Sequence, residues 1–171
     1  MPGTRDTITL CERTCSVESS IRNAEALRKM AAHVNRKQWW HVPPADPNAY
    51  GKRGIFYASS FSEAEFYGRP LDEPQKVKVR NPLVGDGVEI GRMLEIPEQH
   101  EGMTLEEIAA HDAKWRNAAL ALGFDAIVHM APQSFSEFKR SGKIPRKLEL
   151  NILNPGHNGD GKVGKRGTGT R

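Results

Sequence analysis

Residues 54–68 read GIFYASSFSEAEFYG and combine an aromatic strand with a short helix. The bulky and aromatic side chains of IFY favour a β-strand. The serines that follow predict a turn and a helix cap, and residues 63–67 predict a short helix. This helix would bring Phe66 and Tyr67 back toward the strand, so that two aromatic layers would enclose a slot for one flat ring.

The length and composition of the chain indicate a single compact domain with appendages. Its 171 residues suffice for one ordinary core. Hydrophobic residues make up 37% and charged residues 27%, as in ordinary globular proteins, and no apolar run reaches the roughly 18–20 residues of a membrane span. Because the first residues lack the apolar centre of a secretory signal, we expect a cytoplasmic protein, in the producing cell or in a target cell.

The charge of the chain is concentrated in residues 156–171. This segment has four basic residues and one acidic residue, which is +3 of the total formal charge of +4. It is also rich in glycine, and this composition predicts a disordered basic tail. The tail could attract nucleic acid weakly or only aid solubility. Cys11 and Cys15 are the only cysteines, and without further ligand motifs they do not predict a metal site.

Hydrophobic periodicity divides the chain before the tail into two parts. In residues 1–36, Ser16 is a candidate N-cap and apolar residues at helical spacing run to Val34, so we expect an amphipathic helix that packs on the core domain. In residues 37–155 we expect strands at 37–42, 55–57, 75–84, 124–130 and 148–153, with residues 86–96 extending or pairing with the third. Thr104 and Glu107 form a capping box for a helix that Gly123 ends.

The strands do not alternate with helices as in βαβ units, so the expected class is α+β. Residues 43–54 and 131–147 are expected to be loops. The second loop is longer than compact domains usually allow, which suggests that it contacts a partner.

Four further fragments stand in a particular order around the aromatic unit. WWH at residues 39–41 precedes it, and VKVRNPL (77–83), GFDAIV (123–128) and ELNILNP (149–155) follow it. In this order, roughly residues 38–155 resemble the ADP-ribosyltransferase superfamily, including its toxin-like and poly(ADP-ribose) polymerase-like branches. The resemblance implies a split, mostly antiparallel two-sheet core with flanking helices, and NAD as the substrate.

The resemblance also implies the residues of an active site. Glu149 and His41 would be catalytic, with Glu149 facing the ribose as positive charge develops and His41 holding a ribose hydroxyl. The nicotinamide of NAD would be bound by His41, Val42, Phe56, Tyr57, Ser59 and Tyr67. Val42 replaces a glycine of the family pattern and Phe56 replaces a tyrosine. The ordinary alternatives are a core histidine, an aromatic core cluster and an exposed glutamate at the start of a strand.

The acceptor is less well specified by the sequence. Lys147 stands where arginine-specific members of the superfamily have a second glutamate, which argues against arginine as the acceptor. The loop before Glu149 occupies the family's substrate-recognition position, and its expected contact residues are Phe135, Phe138, Lys139, Arg140 and Lys147.

We therefore expect a monomeric NAD-dependent mono-ADP-ribosyltransferase, such as a bacterial or phage toxin or effector. It would use no metal and would modify a macromolecule, expected to be a protein, with nucleic acid as the other candidate. The alternative is a non-catalytic nucleotide- or nucleic-acid-binding module on the same fold.

Overall fold

The computed structural model describes residues 23–155. The helices are α1 (23–36), α2 (Ala49–Arg53), α3 (Phe61–Glu65), α4 (Gly87–Leu94), α5 (Leu105–Ala121) and α6 (Pro132–Ser141). The strands are β1 (Trp40–His41), β2 (Ile55–Ala58), β3 (Pro82–Gly85), β4 (Ala126–His129) and β5 (Glu149–Ile152). The cysteines, the candidate cap Ser16 and the basic tail lie outside the described residues. Within residues 23–155, no helix is both long and apolar enough to span a membrane.

The described strands form one five-stranded sheet in the order β1-β2-β5-β4-β3. The β1–β2, β2–β5 and β5–β4 pairs are antiparallel, whereas β3 and β4 are parallel and are connected through α4 and α5. The α+β class is confirmed, but the expected division into two sheets is not found in residues 23–155. The domain is instead one open, mixed sheet.

Two hydrophobic clusters cover the two faces of this sheet. One face, which we call the α1/α6 face, packs strand residues such as Tyr57, Val128 and Leu150 against Met30 of α1 and Phe138 of α6. The other, the α4/α5 face, packs Ile127 against residues of α4 and α5: Ile90, Leu94 and Ala119. Because side chains alternate along a strand, β3 and β4 contribute to both clusters, with Leu83 and Ile127 on one face and Val84 and Val128 on the other.

The segment expected to be a strand at 75–84 is regular only at its end. Gln75 makes an isolated bridge to Trp39, and β3 begins only at Pro82. Between them, the Asn35 side chain donates to the Val79 carbonyl (2.8 Å) and accepts from the Val79 amide (2.7 Å). A side-chain amide of α1 thus satisfies backbone groups that a neighbouring strand would otherwise satisfy. Alternation of buried valines predicted burial here correctly, but not the pairing.

Side-chain caps mark the starts of α3, α4 and α5. The capping box of Thr104 and Glu107 is present at the start of α5, and Ser60 accepts from the Glu63 amide (3.3 Å) at the start of α3, both as predicted. The expected extension at 86–96 is wrong, because Asp86 accepts a hydrogen bond from the Glu89 amide (2.8 Å) and thereby caps α4. The two expected loops contain α2 and α6.

Candidate active site

A cleft of about 290 Å³ opens between the α4/α5 face of the sheet and α5. Phe56, Glu149, Asn151, Ile127 and His129 line it from three adjacent strands, where the register places them on one face. The opposite wall comes from α5 and from the segment that precedes it, with Glu98, Gln99, Asp112 and Trp115.

Glu149 lies at the start of β5 and is held by two neighbours. The Tyr67 hydroxyl donates a hydrogen bond of 2.6 Å to Glu149 Oε1. On the other side, His129 Nδ1 lies 3.5 Å from Glu149 Oε2, and the two residues are directly paired in the β4–β5 register. The Glu149 side chain is 53% exposed, so its carboxylate is fixed in place and still accessible from solvent.

The ionisation of Glu149 follows from these neighbours. The His129 imidazole holds the pKa of Glu149 below its ordinary value, the Tyr67 hydrogen bond acts in the same direction, and partial burial opposes both. The 3.5 Å separation between His129 Nδ1 and Glu149 Oε2 is at the long limit for a hydrogen bond, so this contact is weaker than the one from Tyr67. Glu149 is therefore a carboxylate at neutral pH.

Tyr67 remains a neutral phenol. Although 64% of the residue is exposed, its hydroxyl lies against Glu149. Partial burial, the hydrogen bond to Glu149 and the charge of that carboxylate all raise the pKa of Tyr67. The hydroxyl therefore keeps its proton and acts as a donor to Glu149.

A partly buried ion pair between Arg53 and Asp112 fixes the wall of the cleft opposite Glu149. Arg53 donates to Asp112 Oδ2 from Nη2 (2.5 Å) and Nε (3.1 Å), and Gln99 donates to Asp112 Oδ1 (2.7 Å). Burial raises the pKa of Asp112, and the Arg53 guanidinium partly offsets this. The same guanidinium lies 5.7 Å from the centre of the Phe56 ring, so it joins α2 and α5 to the aromatic side of the cleft.

Gly54 and Asn151 form a tightly packed junction beneath this wall. Asn151 is buried and donates from Nδ2 to the Arg53 carbonyl (2.9 Å). Gly54 has φ 85° and ψ −171°, a conformation that is almost exclusive to glycine. A Cβ at this position would lie 2.2 Å from Asn151 Oδ1 and 2.6 Å from the Ile152 carbonyl oxygen. Glycine is therefore required for Asn151 to occupy its position in the cleft.

His41 does not join this cleft, contrary to the expectation from sequence. It pairs with Tyr57 on the α1/α6 face, where the two rings are 5.3 Å apart, and it is buried. Its Nδ1 is 2.7 Å from the Phe56 carbonyl oxygen and its Nε2 is 2.8 Å from the Tyr50 hydroxyl. A carbonyl can only accept, so Nδ1 carries the proton and Nε2 accepts from Tyr50. Burial lowers the pKa of His41, with the Phe56 carbonyl acting against it, and the ring fits the alternative of a neutral core histidine.

The other expected NAD-binding residues separate into two groups. Phe56 lines the cleft and Tyr67 contacts Glu149. Tyr57 is instead packed in the core, where burial raises its pKa to about 12, and its hydroxyl donates to Gln75 (3.1 Å). The direction of each side chain follows from strand alternation, which the resemblance did not take into account.

Ser59 and Val42 hold the backbone around the cleft instead of lining it. Ser59 is buried, donates to the Glu63 carboxylate and accepts from the Leu148 amide (3.2 Å), which connects the end of β2 to the start of β5. Val42 packs close to Gly68, at the turn that positions Tyr67.

The expected substrate-recognition loop is mainly a structural helix. Phe135 and Phe138 are buried in the core of the α1/α6 face, because their spacing brings them to one side of α6. Their expected role as acceptor contacts is therefore wrong. Lys139 and Arg140 lie in the exposed last turn of α6, with Lys139 Nζ 4.6 Å from the centre of the Phe135 ring, and Lys147 is exposed beside the start of β5.

Comparisons with protein families, with curated proteins and with solved structures gave no match. Within residues 23–155, no group of three or more His, Cys, Asp or Glu side chains could hold a metal ion. A fixed carboxylate lies beside an imidazole, with the aromatic rings of Phe56 and Trp115 in the same cleft. Such a site suits a flat group that carries or develops positive charge.

Of the residues that line the cleft, sequence reasoning identified only Phe56 and Glu149, and among those it missed are Asp112, Trp115, His129 and Asn151. One signal was available for Asp112, which stands on the apolar side of the predicted α5 helix, where an unpaired charge would be costly. A similar signal was available for His129, a polar residue that directly follows three apolar residues at the end of β4. Neither position indicates its partner, because the contacts with Arg53 and Glu149 form only across the sheet and between elements.

Proposed function

We propose that the protein is an NAD-dependent mono-ADP-ribosyltransferase that releases nicotinamide and transfers ADP-ribose to a protein acceptor. The observation that carries this proposal is Glu149, an accessible carboxylate fixed by Tyr67 and His129 at a cleft with an aromatic lining. Cleavage of the bond between nicotinamide and ribose gives the sugar oxocarbenium character. A preorganised carboxylate lowers the free energy of such a transition state.

The size and charge of the cleft agree with part of NAD. A volume of about 290 Å³ is near the lower end of small-molecule sites. It suits the nicotinamide–ribose half of the substrate, with Phe56 and Trp115 available for contact with the ring. The lining residues include no lysine or arginine, so the pyrophosphate would extend out of the cleft toward solvent.

The second candidate function is a non-catalytic module that binds a nucleotide in the same cleft. The position of His41 favours it, because Tyr50 and the Phe56 carbonyl occupy both ring nitrogens that the family resemblance assigns to substrate. In the transferase proposal, His41 is a structural residue of the core, and the ribose is oriented by the groups around Glu149.

Nicotinamide release from NAD by the purified full-length chain separates the two candidates. Glu149→Gln should retain NAD binding, measured by calorimetry, and lose about 2 kcal/mol of transition-state stabilisation, or about 30-fold in rate. Removal of one preorganised electrostatic group usually costs about 2–4 kcal/mol. We expect a loss near 2 kcal/mol because the Glu149 side chain is half exposed to solvent, which screens its charge. Glu137→Gln, the same change on the exposed surface of α6, is the matched control and should match the parent.

The results have distinct meanings. Binding of NAD with no nicotinamide release by the parent chain would support the non-catalytic module. Equal release by the parent and Glu149→Gln would remove Glu149 from the chemistry.

A further inference from the structure

His129 has a free ring nitrogen next to the proposed catalytic carboxylate. It is the last residue of β4 and the register partner of Glu149, and its side chain lines the cleft while remaining 38% exposed. Its Nδ1 faces Glu149, whereas its Nε2 has no hydrogen-bond partner among residues 23–155. His129 is therefore open to a second molecule on one side only.

The contact with Glu149 determines which nitrogen of His129 can act as a base. A carboxylate oxygen accepts hydrogen bonds and does not donate them, so Nδ1 contacts Glu149 favourably only as an N–H donor, which leaves Nε2 as the nitrogen that can take up a proton. The Nε2 lone pair is then available. A carboxylate that orients an imidazole in this way also stabilises the imidazolium that forms when Nε2 takes up a proton.

We propose that His129 accepts the proton of a hydroxyl group, and that the acceptor of the ADP-ribose is a serine or threonine side chain. This inference rests on the transferase function proposed above. The bond between ribose C1 and the nicotinamide nitrogen breaks, and its electron pair leaves with neutral nicotinamide. The hydroxyl oxygen forms the new bond to C1, and its proton moves to His129 Nε2 and later to solvent.

The charges around Glu149 favour a hydroxyl over other acceptors. An aspartate or glutamate acceptor would be repelled by Glu149 and Glu98, both of which line the cleft. An arginine or lysine acceptor is a cation that must lose a proton before it can attack, and an imidazole is too weak a base to remove that proton. An alcohol has no charge and must lose one proton, which a neutral imidazole can take up.

The test measures two products, nicotinamide and the methyl glycoside of ADP-ribose, with methanol as a small alcohol acceptor. Parent chain, His129→Ala and His129→Gln are compared, with His33→Gln on α1 as a control on the other side of the sheet. We expect methyl transfer to fall about 100-fold in both His129 variants and to be unchanged in the control. Added imidazole should restore much of the activity of His129→Ala, where the removed ring leaves space for it.

Each possible result separates the proposal from the function on which it rests. No nicotinamide release by the parent would overturn both. Release by the parent with unchanged methyl transfer in the His129 variants would overturn only the role of His129. A fall in activity that imidazole does not restore, in variants with a parental circular dichroism spectrum, would assign His129 a structural role and also overturn the proposal. Preferred transfer to acetate or methylguanidine over methanol would overturn the choice of acceptor.

Discussion

Gly54→Ala should destabilise the protein and damage the cleft, whereas Gly51→Ala, three residues earlier, should not. At Gly54 the backbone adopts a conformation nearly restricted to glycine, which costs about 1–3 kcal/mol for alanine. The new Cβ would also lie 2.2 Å from Asn151 Oδ1 and 2.6 Å from a β5 carbonyl oxygen, and such overpacking costs about 1–3 kcal/mol. Alanine also lowers the conformational entropy of the unfolded chain, but this stabilises the folded protein by only about 0.4–1 kcal/mol.

The net loss for Gly54→Ala is therefore about 1–5.5 kcal/mol, and each kcal/mol corresponds to a fall in melting temperature of about 2–4 °C for a chain of this size. Gly51 lies inside α2, and a Cβ there would meet nothing within 4 Å. Gly51→Ala should stabilise the protein by up to about 1 kcal/mol, because alanine is the better helix former.

Urea unfolding followed by circular dichroism measures both variants against the parent. NAD binding by each folded variant then reports on the cleft. If Gly54→Ala were as stable as Gly51→Ala, the junction between Gly54 and Asn151 would not be rigid, and the argument that it fixes the cleft wall would fail.

Two further predictions concern the core and the carboxylate. Phe138→Ala should lower the free energy of unfolding by about 3–5 kcal/mol, because it leaves a cavity at a buried position. Arg140→Ala, on the exposed last turn of α6, should lower it by less than about 0.5 kcal/mol. Equally small effects of both changes would show that Phe138 is not a core residue and would support its predicted role in acceptor recognition. Tyr67→Phe should lower nicotinamide release about 10-fold and move the acid limb of its pH profile to higher pH. The Tyr67 hydrogen bond helps to depress the pKa of Glu149, so its loss raises that pKa, and the active carboxylate is protonated at a higher pH as the solution is acidified. An unchanged acid limb would mean that Glu149 ionisation does not control the rate.

The α+β class, the strands β2, β4 and β5 and the capped helix α5 could be predicted from the sequence, since each depends on local patterns. Alternating or aromatic residues specify a strand wherever one face is buried, and a capping box specifies a helix start through contacts within three residues. Strands β1 and β3 were predicted as longer strands than the structure has. Helix α6 was missed although Phe135 and Phe138 are at helical spacing, because the segment between them is polar and begins with proline.

The sequence predicted Glu149, Tyr67 and Phe56 as members of one site; Tyr67 contacts Glu149, and Phe56 lines the same cleft as Glu149. The face on which each side chain lies depended on the tertiary structure. His41 and Tyr57 are one residue away from positions that face the cleft, and because the side-chain period of a strand is two, one residue is enough to move them into the opposite core.

The partners of Glu149 and Asp112 were also decided by tertiary structure. His129 reaches Glu149 only because β4 pairs with β5 in one particular register, and Arg53 reaches Asp112 only because α2 packs against α5. These pairs are 20 and 59 residues apart in the chain, and local propensity carries no information over such distances. Local sequence patterns thus indicated Glu149, Tyr67 and Phe56 as candidates for one site. Strand pairing and helix packing added His129 and Asp112, because they bring together residues that are distant in the chain.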